Sequence, residues 1–223
     1  WQIILGVIAV ITMIFGAVAA IGQRDIKRIL AFSSIAHAGF LLIAVVALNQ
    51  GALAAALFYF VIYGFATIGA FGVVTLVRDS AGEVTDVNRW AGLGKKSPVV
   101  ATVFSLFLLS FAGIPLTAGF IGKFLVVMAA VTTQHWFLAA MIIVGSGIGL
   151  YYYLRVMVVM YMTPPETPRI DADAHWGQKV GGLMVLAAAA LVIILGVYPD
   201  PMINLALKAE ILSPLHFMLS QQQ

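Results

Sequence analysis

Long apolar stretches alternate with short polar breaks along the chain, and this pattern predicts membrane-spanning helices. Each stretch holds about 20 residues, the length at which a helix crosses the hydrocarbon core of a bilayer. We expect six spans, at residues 3–21, 29–48, 52–77, 98–131, 136–162 and 180–198. The tail beyond them contains Pro199, Pro201 and Pro214, and we expect it to lie at the membrane interface.

The fourth span is too long for one straight helix, because residues 98–131 would extend roughly 50 Å against a core of about 30 Å. Its middle contains Pro115, which removes a backbone donor. It also contains Gly113, Gly119 and Gly122, which we expect to lower the cost of non-helical backbone. We therefore predict a helix broken near mid-membrane, as at the ion sites of transporters. A proline kink without an ion role explains the same residues equally well.

Composition supports the membrane assignment and excludes several classes of function. Of the 223 residues, 62% are hydrophobic and only 9% are charged, whereas a soluble domain has about a quarter charged. This balance excludes a soluble enzyme. The net charge of +3 has no accompanying basic and aromatic cluster, so nucleic-acid binding is not indicated. The absence of cysteine excludes thiolate ligands for metals or Fe–S clusters, and no dinucleotide-binding fingerprint is present.

Basic residues are distributed unequally between the loops that connect the six predicted spans. They concentrate on one side of the predicted topology, in the loops at residues 22–28, 78–97 and 163–179. The opposite side has only Lys208. The positive-inside rule therefore places the three basic loops in the cytoplasm.

Lys123 lies just after the predicted break, roughly 12 Å from the far end of the span by the helical rise. A charged side chain at that depth is costly and is by default a candidate for function. Burial disfavours the ammonium form, so this lysine can exchange a proton near neutral pH. A structural lysine would need a carboxylate, but all nine acidic residues lie in predicted loops, at span ends or in the tail. We predict that Lys123 is a proton carrier.

His37 lies near the middle of the second span, and an imidazole is suited to relaying protons. Ser33 and Ser34 precede it by one turn and can support the relay by binding water. A histidine that only bonds to a neighbouring helix is the competing interpretation. For Tyr59 of the third span, packing is favoured over a role in lining a wet path. The tyrosines of the fifth span, among them Tyr153, are interpreted as packing residues or as an interfacial belt.

Two long motifs and one shorter motif resemble a known family of membrane proteins. They are RDIKRILAFSSIAHAG at 24–39, LSFAGIPLTAGFIGKF at 109–124 and GLYYYLRV at 149–156. The sequence is similar to the antiporter-like membrane subunits of respiratory complex I and of Mrp antiporters, and is closer to the bacterial complex I branch. The resemblance covers nearly the whole chain.

The resemblance implies an all-α membrane protein in which residues 1–162 form the second five-helix repeat of the antiporter-like fold. Residues 163–223 would then hold a cytoplasmic loop, one final helix and the tail. It also implies that Lys123 is the essential lysine of the broken helix, and that His37 links two half-channels. The chain opens on Trp1, so we expect it to be the C-terminal part of a longer protein.

The implied function is proton translocation in the bacterial inner membrane, driven by NADH oxidation and quinone reduction. NADH, FMN, Fe–S clusters and quinone would be bound by other subunits, and this chain would hold no cofactor. The implied partners are other membrane subunits of the complex, among them neighbouring antiporter-like ones, the lipid bilayer, and the missing N-terminal repeat. That repeat would contain the family's glutamate–lysine pair. A cation/proton antiporter subunit of the Mrp type and a non-pumping structural subunit remain alternatives.

Overall fold

The structure is a computed structural model, and it describes residues 1–47, 49, 51–80, 82–162, 173–174 and 179–211. Within this part the chain is mainly helical, and it begins with α1 (Gln2–Ile21), α2 (Ile26–Ala47) and α3 (Ala52–Leu76). A connecting region follows with β1 (Val77–Asp79), β2 (Gly82–Glu83), a 3₁₀ turn (Val87–Trp90) and α4 (Leu93–Lys96). The remaining elements are α5 (Pro98–Ala112), α6 (Ala118–Thr132), α7 (Trp136–Tyr161), β3 (Asp173–Ala174), α8 (Lys179–Val197) and α9 (Asp200–Ile211).

Four helices of the described chain, namely α1, α2, α3 and α7, are long and apolar enough to cross a membrane. The prediction of a multi-span helical protein is confirmed by them. The α8–α9 pair would make a fifth span, although it bends by 87° between the two helices. Helices α5 and α6 have 15 residues each and replace the predicted fourth span. The count of six spans and the interfacial position of the tail stay predictions, and Pro214 lies outside the described residues.

A small sheet makes the expectation of an all-α protein incomplete. β1 pairs antiparallel with both β2 and β3, in the order β2-β1-β3. Strands of two or three residues are too short to show an alternating pattern, so they could not be predicted from the sequence. An ion pair from Lys27 to Glu83 joins α2 to β2, and one from Arg89 to Asp79 joins the 3₁₀ turn to β1. Most of the loop at 163–179 lies outside the described residues.

Small residues allow the helices to approach closely, as is usual in membrane proteins. A side chain at Gly16 of α1 would meet the backbone of Ala36 in α2, and one at Gly39 of α2 would meet Met13 of α1. Helix α6 contacts α2, α3, α5, α7 and α8. Helix α6, which contains Lys123, is therefore packed against five helices, and Phe124 and Met128 lie on its exposed face.

Candidate functional site

The predicted interruption is present between α5 and α6, and α5 ends in a defined cap. Gly113 has φ of +82°, in the left-handed region that glycine adopts without steric cost. Its N–H donates to the carbonyl of Ser110 at 3.1 Å, and the N–H of Ile114 donates to the carbonyl of Leu109 at 3.0 Å. These two bonds form a Schellman motif, which ends a helix and satisfies two of its free carbonyls.

The other two free carbonyls of α5 accept hydrogen bonds from Lys123. A helix leaves its last four carbonyl groups without partners in the helix, and in α5 the last two are those of Phe111 and Ala112. Nζ of Lys123 donates to Phe111 O at 2.7 Å and to Ala112 O at 3.2 Å. Lys123 thus completes the cap of a helix to which it does not belong. A positive charge is also favoured at this end by the helix dipole.

The surroundings of Lys123 are apolar, and the side chain is buried, with 8% of its surface exposed. Nζ lies 4.9 Å from the ring centre of Phe40, within the range of a cation–π contact. In the part of the chain that the structure describes, the ion pairs join basic side chains to Asp79 and Glu83, far along the chain from the break. None of these three ion pairs includes Lys123, and the expectation that it has no carboxylate partner stays a prediction.

The four residues expected to break the helix have different roles. Gly113 and Pro115 lie in the interruption itself, but Gly119 and Gly122 lie within α6. A Cβ on Gly119 would come 1.9 Å from the carbonyl oxygen of Ser110, and one on Gly122 would come 2.6 Å from the ring of Tyr59. The expectation that these two glycines permit non-helical backbone is therefore wrong. They allow α6 to pack closely against α5 and α3.

His37 is fully enclosed and both of its ring nitrogens meet a tyrosine hydroxyl. Nδ1 lies 2.5 Å from the hydroxyl of Tyr59 in α3, and Nε2 lies 3.1 Å from the hydroxyl of Tyr153 in α7. The hydroxyl of Tyr153 also bonds to that of Ser33. A neutral imidazole has one donor and one acceptor nitrogen, so it donates to one tyrosine and accepts from the other.

A second serine extends this polar cluster towards a less buried position. The hydroxyl of Tyr63 donates to Oγ of Ser34 at 2.8 Å, and Ser34 donates to the carbonyl of Leu30 at 3.0 Å. The ring of Tyr63 stacks on that of His37, with 4.4 Å between their centres. The interpretation of the tyrosines as packing residues is incomplete, since three of them bond to His37 or to the two serines. The sequence signals for this cluster were His37 at mid-span and the two serines one turn before it.

Aromatic rings separate the lysine from the histidine. Phe40 contacts Lys123 on one side, and its ring centre lies 5.6 Å from that of His37. The ring of Phe111, whose carbonyl binds the lysine, lies 5.7 Å from His37. Among the described residues, His37 bonds to tyrosine hydroxyls and Lys123 to backbone carbonyls of α5, so these hydrogen bonds do not join the two side chains directly. The described residues also contain no cluster of three or more His, Asp or Glu that could hold a metal ion.

Comparisons with known proteins agree with this architecture. A protein of Acinetobacter baumannii named NADH-quinone oxidoreductase subunit N is 69% identical over 99% of this chain and 45% of its own length. A chain of respiratory complex I from Thermus thermophilus, solved with bound aureothin, has a TM-score of 0.75 and 30% identity, covering 90% of this chain and 44% of that one. A chain of the Mrp complex from Dietzia has a TM-score of 0.79 over 95% of this chain and 47% of that one. Its 21% identity makes that likeness one of fold alone.

The chain spans less than half the length of these relatives. The sequence profile of the family described as NADH:quinone oxidoreductase/Mrp antiporter, transmembrane region, matches residues 1–149. The matched range contains the broken helix, Lys123 and the cluster around His37, apart from Tyr153. The chain therefore belongs to the NADH:quinone oxidoreductase/Mrp antiporter family of membrane proteins.

Proposed function

We propose that this chain is the proton-translocating part of a membrane subunit of a bacterial NADH–quinone oxidoreductase, and that Lys123 carries the proton. The observation that supports the proposal most is the environment of the Lys123 side chain. It is buried, has no carboxylate partner among the described residues, and binds the two carbonyls that the helix break leaves free.

Backbone carbonyls are suitable partners for a lysine that must change its charge. A carboxylate would hold the ammonium form strongly, because removing one charge of a buried pair leaves the other uncompensated. Carbonyls are neutral, and a neutral amine still has two N–H groups with which to bind Phe111 O and Ala112 O. Loss of the proton then weakens the interaction with the end of α5 without leaving a buried carbonyl unpaired.

His37 is the proposed relay that passes protons towards Lys123. A proton that arrives on one ring nitrogen can leave from the other, since both face a hydroxyl. Ser33 continues the chain of hydroxyls beyond Tyr153, and Ser34 bonds to Tyr63 on the less buried side. The aromatic layer of Phe40 and Phe111 would then have to admit water for the last step to Lys123.

The finer architecture belongs to the same proposal. The chain would cross the bacterial inner membrane six times, with residues 1–162 as the second five-helix repeat and residues 163–223 as loop, final helix and tail. The basic loops at 22–28, 78–97 and 163–179 would face the cytoplasm, which is supported by their excess of Lys and Arg. The missing N-terminal half and the other membrane subunits, including neighbouring antiporter-like ones, would cover helix faces that are exposed in this chain.

Redox chemistry would take place in other subunits, which bind NADH, FMN, Fe–S clusters and quinone. A cation/proton antiporter of the Mrp type is the alternative within the family. The name of the relative from Acinetobacter favours the oxidoreductase, and its identity of 69% far exceeds the 21% to the Mrp chain.

The test is made on the full complex in sealed membrane vesicles, with Lys123→Ala compared to Lys95→Ala. Lys95 is exposed in the connecting region between α3 and α5, so its variant controls for loss of a lysine. We expect Lys123→Ala to assemble and to lose NADH-driven proton uptake, together with any quinone turnover coupled to it. Normal uptake and turnover in the assembled variant would assign Lys123 to a structural cap, as expected for a non-pumping subunit.

A further inference from the structure

The C-terminal end of α8 packs directly on the backbone of the helix break. A Cβ on Gly196 would lie 2.5 Å from the carbonyl oxygen of Leu116, 2.6 Å from the carbonyl carbon of Thr117 and 2.7 Å from the amide nitrogen of Ala118. These are all backbone atoms, so no side chain can rotate away to make room. Any residue larger than glycine must displace either α8 or the start of α6.

Helix α9 packs mainly on α3, and its first turn also borders the start of α6. It follows α8 after a bend of 87°, and Met202 and Ile203 pack against the cluster that contains Ala118. Ile121 and Leu125 of α6 pack against that cluster as well. The α8–α9 elbow, defined as residues 195–203, thus meets the backbone at the start of α6 through Gly196. Its apolar side chains share with Ala118 a cluster that also includes Phe58 and Ile62 of α3.

The segment that Gly196 contacts is one that needs support from its surroundings. Leu116 has φ of +74°, a left-handed conformation that is unfavourable for any residue other than glycine. The side chain of Leu116 is 76% exposed and contributes little packing of its own. The backbone contact with Gly196 therefore lies at a segment that would otherwise leave its unfavourable left-handed conformation.

The same contact lies a short distance from the lysine. Five residues, about one and a half helical turns, separate Ala118 from Lys123. The acceptors of Lys123 are on α5, whereas the lysine itself is on α6. A shift of α6 relative to α5 changes the distance from Nζ to Phe111 O and Ala112 O directly.

We propose that Gly196 is a positioning residue for Lys123, and that the α8–α9 elbow sets the distance between the lysine and the carbonyls that bind it. The elbow acts through the backbone of the break and does not touch the transferred proton. This inference rests on the proposed function of Lys123, and it assigns a role in that function to α8 and α9, which lie beyond the matched residues 1–149.

Gly196→Ala tests the inference in the full complex, with Gly181→Ala as the control in the same helix. A Cβ at Gly181 would meet only a methyl group of Leu76 at 3.8 Å, an ordinary contact. We expect Gly196→Ala to lower the number of protons taken up per NADH oxidised, while Gly181→Ala keeps the wild-type number. Because the ammonium loses acceptors, we also expect the alkaline limb of proton uptake against pH to move to lower pH.

Ile203→Ala provides a second variant that removes packing from the elbow without forcing a clash, in case Gly196→Ala does not assemble. It should change the proton count and the pH profile in the same direction. If Gly196→Ala assembles and keeps the wild-type proton count and pH profile, the inference is overturned. If it does not assemble, the same result in Ile203→Ala overturns it. If Lys123→Ala abolishes uptake in the same vesicles, only the role of the elbow fails, whereas normal uptake in Lys123→Ala removes the proposed function itself.

Discussion

Lys123 and Phe111 face each other across the interrupted helix, with Nζ of the lysine 2.7 Å from the carbonyl oxygen of the phenylalanine. The bond joins α6 to the end of α5, and its partner bond to Ala112 O repeats the connection. The interruption thus supplies both the acceptors for the lysine and the reason why those acceptors are free. One arrangement accounts for a broken backbone and a buried charge that each look costly alone.

Replacing Gly113 by alanine should destabilise the break and disturb the lysine together. The residue has φ of +82°, which costs an alanine about 1–2 kcal/mol. A Cβ there would also come 3.0 Å from Cδ of Lys123. We expect a lower thermal midpoint of the purified complex and reduced proton uptake. Gly22→Ala is the matched control, since Gly22 has φ of −76° and nothing within 4 Å of an added Cβ, and equal effects of both variants would contradict the account.

Removing the hydroxyl of Tyr59 should impair proton transfer through His37. Tyr59→Phe leaves Nδ1 of the buried histidine without its partner at 2.5 Å, a loss of about 1–3 kcal/mol. We expect reduced proton uptake per NADH in vesicles with normal assembly. Tyr151→Phe is the control, because Tyr151 is exposed on the same helix as Tyr153. Unchanged uptake in Tyr59→Phe would leave the hydroxyl with a packing role only.

Asp25 should stabilise the start of α2 in a way that depends on pH. Its carboxylate accepts from the N–H of Arg28 at 2.9 Å, so Asp25→Ala should cost about 1 kcal/mol and Asp25→Asn less. Partial burial raises the pKa of Asp25, but hydrogen bonds from Thr85 and from the amides of Arg28 and Lys27 outweigh it and hold the pKa below 3.8.

The sign of the pH dependence follows from that lowered pKa. The stabilisation by the Asp25 carboxylate is complete above pH 3.8 and is lost only as the pH falls through the lower folded value. The thermal midpoints of wild type and Asp25→Ala should therefore differ by a constant amount from neutral pH down to about pH 3.8. If the difference in thermal midpoint already shrinks well above pH 3.8, these hydrogen bonds do not hold the carboxylate in its charged form.

The sequence predicted the parts of the structure that depend on residue type and spacing. Helix bounds agree within a few residues for α1, α2, α3 and α7, and the break falls at Gly113 and Pro115. The sequence also predicts that Lys123 has no carboxylate partner within the spans, because all nine acidic residues lie in predicted loops, at span ends or in the tail.

Other parts of the structure depend on backbone atoms, or on which face of a helix points inward, and the sequence does not distinguish these. The acceptors of Lys123 are backbone carbonyls of Phe111 and Ala112, and any residue has such a group. Tyr59 and Tyr153 lie on helices with apolar residues on every side, as expected in a membrane, so no amphipathic pattern marks the inward face. The close approach at Gly119 depends on how α5 and α6 pack after the break, which is a tertiary relationship.

The most direct test of the central claim is Lys123→Arg in the full complex, measured as NADH-driven proton uptake in sealed vesicles. Arginine keeps a positive charge and donors for Phe111 O and Ala112 O, but it cannot release its proton. A proton carrier must release one, so we predict that the variant assembles with a normal thermal midpoint and yet loses proton uptake. Uptake at the wild-type rate would mean that a fixed charge suffices at this position, and that Lys123 caps α5 without carrying a proton.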